Sequence, residues 1–461
     1  MCGLSHCRWT SRRDFIRDSL GMSVAILGIK PLIRPRPIAP GGVSINQSNV
    51  AVAEAAARWI GTGKLVADHG ITWWADPAAP DSTGLTLYHD SPGVVLFLLE
   101  LHNATGKTVY LDEACAGADH IVQRLESETE IPPGLYTGIA GLVFCLEEVY
   151  RASGRGEYRA AAQRGLLRLH AGAEEVGAGV AWNTSTDIIS GTAGIGLTFL
   201  YAAAAISESR HLELAAAAGY RLLELGQSDS GGTKWPMSPD YPRLMPNFSH
   251  GTAGVCYFLV SLYQHTGEPA FLDAALAGAR YLHAIAKTDG DVCLIFHHEP
   301  DGSDLYYLSW CHGPVGTARL FYRLATATGD DEWLDWVARG ARGILRSGIP
   351  ESRTPGFWNN VSQCCGDAGV GEFFVSLHRV TGNSEYLDMA WRVRDSLLTR
   401  ASEGSDGISW PQAEHRTRPG LIAAQTGFMQ GAAGMATFLV HLDELERGKH
   451  PAIALPDSPF T

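Results

Sequence analysis

Six times along the chain a pair of glycines separated by two residues leads an apolar stretch with helical spacing. The pairs are Gly138 and Gly141, Gly191 and Gly194, Gly251 and Gly254, Gly313 and Gly316, Gly366 and Gly369, and Gly431 and Gly434. A degenerate copy sits at Ser91-Pro92-Gly93. Steps of 53, 60, 62, 53 and 65 residues separate the first glycines, which is room for two helices and their turns. After the first helix comes a glycine turn, as at Gly106, Gly154, Gly267, Gly329 and Gly382. A second helix then opens on an aromatic residue and leucine, as in Tyr110-Leu111-Asp112 or Trp333-Leu334-Asp335. With Val50 to Ile60 as one more helix, the pattern predicts an all-α fold of about seven inner and seven outer helices.

Such hairpins stack either into an open solenoid or into a closed ring. The glycine-led helices are apolar almost all round, which suits burial on both sides, whereas the second helices carry charge on one face, as at Arg339, Arg342 and Arg346. An inner barrel sheathed by an outer one, an (α/α) toroid, satisfies both patterns. It makes residues 46–448 one domain, although 461 residues would allow two or three. Residues 449–461 read as a C-terminal tail. The loops ahead of the glycine pairs gather at one end and carry Trp73, Trp74, Trp182, Trp235, Trp310, Trp358 and Trp410, either packing those loops or lining a mouth.

Residues 1–45 read as a signal and linker. Ser11-Arg12-Arg13-Asp14-Phe15-Ile16 precedes an apolar run from Ser19 to Ile29, and this resembles a twin-arginine export signal. A run of about eleven residues is short of the ~18 needed to span a bilayer, so no stable membrane span is expected. The implied partner is the twin-arginine machinery and the implied location periplasmic or extracellular. Ala51-Val52-Ala53 has the small-x-small form of a cleavage site but also reads as the start of a helix. The first 36 residues carry seven basic and two acidic side chains, so without them the net charge moves from −13 to −18. That sign argues against nucleic acid or an anionic membrane as a general partner.

Seven cysteines lie beyond the signal, at 115, 145, 256, 293, 311, 364 and 365, an odd and scattered set that does not describe a disulfide scaffold. Three of them share the repeat's register. The position two before the first glycine is Cys311 in one repeat and Cys364 in the next; the position one before it is His250, His312, Cys365 and Gln430 in succession. In a ring these positions face one another, so Cys311, Cys364 and Cys365 meet. Three thiolates with a vacant fourth position suit a catalytic type of Zn²⁺ site, one ion per chain. A disulfide between Cys364 and Cys365 would abolish it. The run His297-His298-Glu299 with Asp301 and Asp304 reads as a solvated loop.

Asp187-Ile-Ile-Ser-Gly191, Ser249-His250-Gly251, Trp310-Cys311-His312-Gly313 and Cys364-Cys365-Gly366, in this order on glycine-led helices, resemble the LanC family of lanthionine cyclases from about residue 50 to 445. The resemblance implies an (α/α) toroid binding one zinc and adding cysteine thiols to dehydroalanine or dehydrobutyrine. Carried over by position, the metal ligands are Cys311, Cys364 and Cys365. His250 and Asp187 take the acid/base positions, with His312 beside the metal. The departure is Cys365, where the commoner motif has histidine, which makes the protein's donor set one unit more negative. The substrate expected is a dehydrated peptide or a small thiol. Against this stand structural roles for the same residues, Asp187 as a helix cap and the histidines as packed side chains. The corresponding alternatives are an exported zinc-binding peptide scaffold without catalysis and a carbohydrate-active α/α barrel, for which Asp187 lacks a carboxylate partner in register.

Overall fold

The computed structural model describes residues 42–80, 83–206, 208–229 and 231–460; the twin-arginine segment lies outside them. Among the described residues the helices are, in chain order, α1 (Asn49–Ile60), α2 (Ser91–Thr105), α3 (Thr108–Ser127), α4 (Ile139–Ser153), α5 (Gly156–Ala171), α6 (Thr192–Ile206), α7 (Ser209–Leu225), α8 (Thr252–Thr266), α9 (Pro269–Ile285), α10 (Pro314–Thr328), α11 (Glu332–Arg346), α12 (Asp367–Thr381), α13 (Ser384–Thr399) and α14 (Ala432–Glu446). Even-numbered helices form an inner ring and odd-numbered ones an outer ring. Each inner helix packs on the next, and α14 packs on α2, so the barrel is closed. The last hairpin is made from both ends of the chain, because α1 supplies the outer partner of α14. Ser48 caps α1, its Oγ accepting from the Ala51 N–H at 3.2 Å, so Ala51-Val52-Ala53 lies within a helix.

Burial follows the expected pattern. Val94 to Leu99 on α2 are all buried, whereas α11 turns Arg339, Arg342 and Arg346 outward to Asp335 and Asp291. The inner helices α2, α4, α8, α10 and α12 end at glycines with φ of 68 to 72°, a left-handed conformation in which only glycine is unstrained. The second glycine of each pair answers a different demand. At Gly141, Gly194, Gly254, Gly316, Gly369 and Gly434 a Cβ would run into the carbonyl oxygen six residues earlier, because the incoming loop folds back on the first helical turn.

That fold-back sets up a second closed structure at the mouth. The Tyr88 N–H donates to the Tyr136 carbonyl and the Tyr136 N–H to Ile189; Ile188 then donates to Ser249, Ser249 to Cys311, Cys311 to Cys364, Cys364 to Met429, and Met429 back to Tyr88, at 2.9 to 3.3 Å. Seven loops are thus laced into one ring of backbone hydrogen bonds, each contributing about 1 kcal/mol net.

The tryptophans mostly pack these loops. The indole N–H groups of Trp182, Trp235 and Trp410 each donate to a leucine carbonyl of the preceding outer helix, Leu169, Leu222 and Leu397, at 2.6 to 2.9 Å. At the opposite end, the chain beyond Gly448 turns back into the barrel. The N–H groups of Ala452 and Ile453 donate to the buried Glu100 carboxylate, and Phe460 lodges between Tyr322 of α10 and Phe373 of α12. No described helix is long and apolar enough to cross a membrane.

Candidate metal centre

The ring of turns presents its side chains to a cleft at the mouth. Cys311 and Cys364 are consecutive links of the ring, and Cys365 follows Cys364 directly. Their sulfurs converge: Cys311 Sγ lies 3.3 Å and Cys364 Sγ 3.4 Å from Cys365 Sγ. All three are free thiols, two buried and Cys365 partly exposed to the cleft. A tetrahedral ion with Zn–S bonds of ~2.3 Å sets its sulfurs about 3.8 Å apart, so the trio needs to open by only about half an ångström. The donor set therefore fits one soft, tetrahedral cation with a fourth position facing the cleft. The other four cysteines, 115, 145, 256 and 293, are separate buried thiols whose pKa values burial pushes up.

Within the trio one sulfur is set apart electrostatically. Burial opposes ionisation of Cys364, but hydrogen bonds from Cys311, Cys365 and Tyr88 outweigh it and hold this thiol well below its ordinary range. Burial and the neighbouring sulfurs hold Cys311 well above it.

Facing the sulfurs is a buried pair. His250 Nδ1 lies 2.7 Å from Asp187 Oδ2, and the other carboxylate oxygen accepts from the Ser190 N–H at 2.9 Å. His250 lines the cleft; Asp187 lies behind it and is 1% exposed. His312 also lines the cleft, its ring 5.8 Å from that of His250, with a buried Nδ1 that has no protein partner. Cys311, Cys364, Cys365, His250 and His312 are thus brought to one cavity of about 50 Å³, with Asp187 held against it through His250.

His297 and His298 correct the expectation of a solvated loop. Both are buried, and His297 stacks on His312 with ring centroids 4.0 Å apart. The loop between α9 and α10 folds into the mouth, where burial and the clustering of histidines, with Arg416 and Arg243 beside His297, push His297 and His312 far below the ordinary histidine range. Trp358, one of the tryptophans expected at the mouth, lines the cleft, and so do three residues that the sequence reading did not single out, Tyr88, Tyr307 and Arg416. Tyr88 was legible in principle. The carbonyl nearest a Cβ on Gly93 is that of Leu87, six residues earlier, so Gly93 is a second glycine, not a first. Asp90 then occupies the first-glycine position, and Tyr88 falls in register with Cys311 and Cys364. Below it, His89 pairs with Glu414 at 3.2 Å, and Glu414 drops to about 2 because His89, a second histidine and Gln425 outweigh its burial.

The chain is a closed α/α toroid that carries at its mouth a three-cysteine cluster able to hold a metal ion and a histidine oriented by a carboxylate. Residues 81–455 match the family described as "Lanthionine synthetase C-like protein", and the chain belongs to that family. Among solved structures it is similar to "Nisin cyclase", at 17% identity and a TM-score of 0.58, over 86% of this chain and 94% of that one. It is also similar to the GH76A α-1,6-mannanase from Salegentibacter sp. HEL1_6, at 13% identity and a TM-score of 0.50, over 86% of this chain and all of the other. At these identities both likenesses are of fold.

Proposed function

We propose that this protein forms thioether bonds, adding a thiol to the β-carbon of a dehydroalanine or dehydrobutyrine residue, with one zinc ion held by Cys311, Cys364 and Cys365. The observation that carries the reading is the meeting of three sulfurs and a carboxylate-oriented histidine in one cleft. A free thiol has a pKa of about 8.5 and is only a few per cent ionised at neutral pH. Zinc in an open three-sulfur site would acidify the incoming thiol and position it.

The chain's own groups handle the rest of the proton traffic. Asp187 accepts from Nδ1–H of His250, which fixes the tautomer and turns Nε2 toward the reacting atoms. As the carbon–sulfur bond forms, the C=C electron pair moves onto Cα and its carbonyl. The proton lost by the thiol is returned at Cα, and His250 is the group placed to deliver it. His312, kept neutral beside His297, is a wall of the same cleft and a hydrogen-bonding group rather than a proton store.

Cyclisation of a peptide leaves its mass unchanged, so the test is loss of alkylatable thiol from a peptide carrying both cysteine and dehydroalanine. The zinc-loaded protein should consume the thiol and Cys364→Ala should not. Full zinc content without thiol consumption would favour a peptide-binding scaffold. The twin-arginine segment supports export to the periplasm or beyond. Residues 1–45 fused to a folded reporter should be exported, and Arg12→Lys/Arg13→Lys should abolish it; export that survives the change would contradict this route.

A further inference from the structure

The three sulfurs carry more negative charge than a site with a neutral imidazole, and the ring of turns holds an answer to it beside the metal. Tyr88 is buried at the position its repeat shares with Cys311 and Cys364, and its hydroxyl donates to Cys364 Sγ at 2.9 Å. Gln430 stands one residue before the first glycine of the last repeat, where its neighbour has Cys365. Its Nε2 lies 3.2 Å from the Tyr88 oxygen and 4.0 Å from Cys365 Sγ. The amide cannot turn over without loss, because Asn360 Nδ2 donates to Gln430 Oε1 at 3.2 Å and leaves the NH₂ group facing Tyr88. Asn360 and Gln430 are both buried.

We propose that Asn360, Gln430 and Tyr88 form a hydrogen-bond relay onto the metal-ligating sulfurs, with Tyr88 as a positioning residue that draws charge off Cys364 and fixes its direction. The inference rests on the zinc reading above and goes beyond it by assigning the partners of the ligands. A thiolate that accepts a hydrogen bond is a weaker electron donor to its metal, and outer partners of this kind set both ligand orientation and metal electronics. The relay tempers the extra charge that Cys365 brings, so that the site keeps enough positive potential for a fourth sulfur. It also gives a role to the tyrosine that stands in its repeat where others have Cys311 and Cys364, and to the glutamine that stands where the preceding repeat has Cys365.

The test uses the full chain loaded with Co²⁺, whose sulfur-to-metal charge-transfer bands report the electron density on the thiolates. Tyr88→Phe removes only the hydroxyl and should move those bands to lower energy, with one cobalt still bound per chain. Gln430→Leu should move them the same way by less. Tyr136→Phe, which alters the next link of the ring but donates to Asp457 instead of sulfur, should leave them in place. Bands unmoved in Tyr88→Phe, or moved equally in Tyr136→Phe, would overturn the relay while leaving the metal site intact. A wild-type chain that takes up no cobalt would overturn the metal reading and the relay together.

Discussion

The backbone N–H of Cys311 donates to the carbonyl of Cys364 at 3.1 Å, so the sulfur-bearing residues of two successive hairpins are neighbouring links of one closed ring. Convergence of the sulfurs follows from the stacking of these two hairpins, and closure brings Tyr88 to them. An open solenoid would keep these two adjacent, but Met429 could not then donate to Tyr88, and the relay would have no anchor.

Asp187 acts through His250, and its removal should spare the metal. Asp187→Asn should lower the rate of thioether formation by about 100-fold or more, with zinc content unchanged, because the amide no longer selects the Nδ1–H tautomer. Zinc analysis and single-turnover thiol loss measure the two separately. An unchanged rate would return Asp187 to the role of a helix cap.

The tail beyond Gly448 is predicted to hold the Cys311 turn from behind. Asp457 is fully buried, accepts from Trp310 Nε1 at 3.1 Å and Tyr136 Oη at 3.2 Å, and faces Arg319 at 3.5 Å. Trp310 immediately precedes Cys311. Asp457→Ala leaves two buried donors without an acceptor and takes the counter-charge from Arg319, which keeps only the backbone carbonyl of residue 457, and should cost ~3 kcal/mol of stability. Urea unfolding checks this, and an unshifted midpoint would show that the tail is dispensable.

Helix packing offers a prediction independent of the chemistry. A methyl group on Gly371 of α12 would land on the ring of Phe438 on α14. Gly371→Ala should destabilise by about 1–3 kcal/mol through overpacking, and adding Phe438→Leu should restore part of the loss. Additive losses in the double variant would contradict direct packing.

Stability should fall as pH rises through the weakly acidic range. Burial, aided by Glu100, pushes Glu444 up to about 7 against the pull of His441. The unfolded chain loses this proton near the ordinary carboxylate value. Between the two the folded state binds more protons, so stability declines with rising pH and is flat above. His441 adds to the same trend: Glu372 and Glu100 outweigh its burial and raise its pKa, so its contribution is complete below the ordinary histidine value and lost above its folded one. Glu444→Gln should flatten the slope and leave the protein more stable at pH 8, by an amount on the order of 2 kcal/mol. A slope equal to wild type would place the titration elsewhere.

Much of this was legible because chemistry and architecture share one register. Cys311 and Cys364 stand at the same offset from a glycine whose neighbourhood forces the loop back on its helix, so the repeat that predicts the barrel also predicts the meeting of the sulfurs. What escaped had no repeat to announce it. Tyr88 was hidden because Asp90 replaces the first glycine and shifts the apparent frame. His297 arrives on an irregular loop, where two adjacent histidines among acidic residues read as solvent-facing. Asp457 lies in a segment whose only hint of burial is the spaced apolar residues Ile453, Leu455 and Phe460.

X-ray absorption at the zinc edge tests the central claim most directly. The account predicts one zinc per chain with three sulfur neighbours near ~2.3 Å and a single lighter atom completing the shell, and one sulfur fewer in Cys365→Ala. A shell of nitrogen and oxygen, or protein without zinc and with Cys364 or Cys365 oxidised, would contradict it.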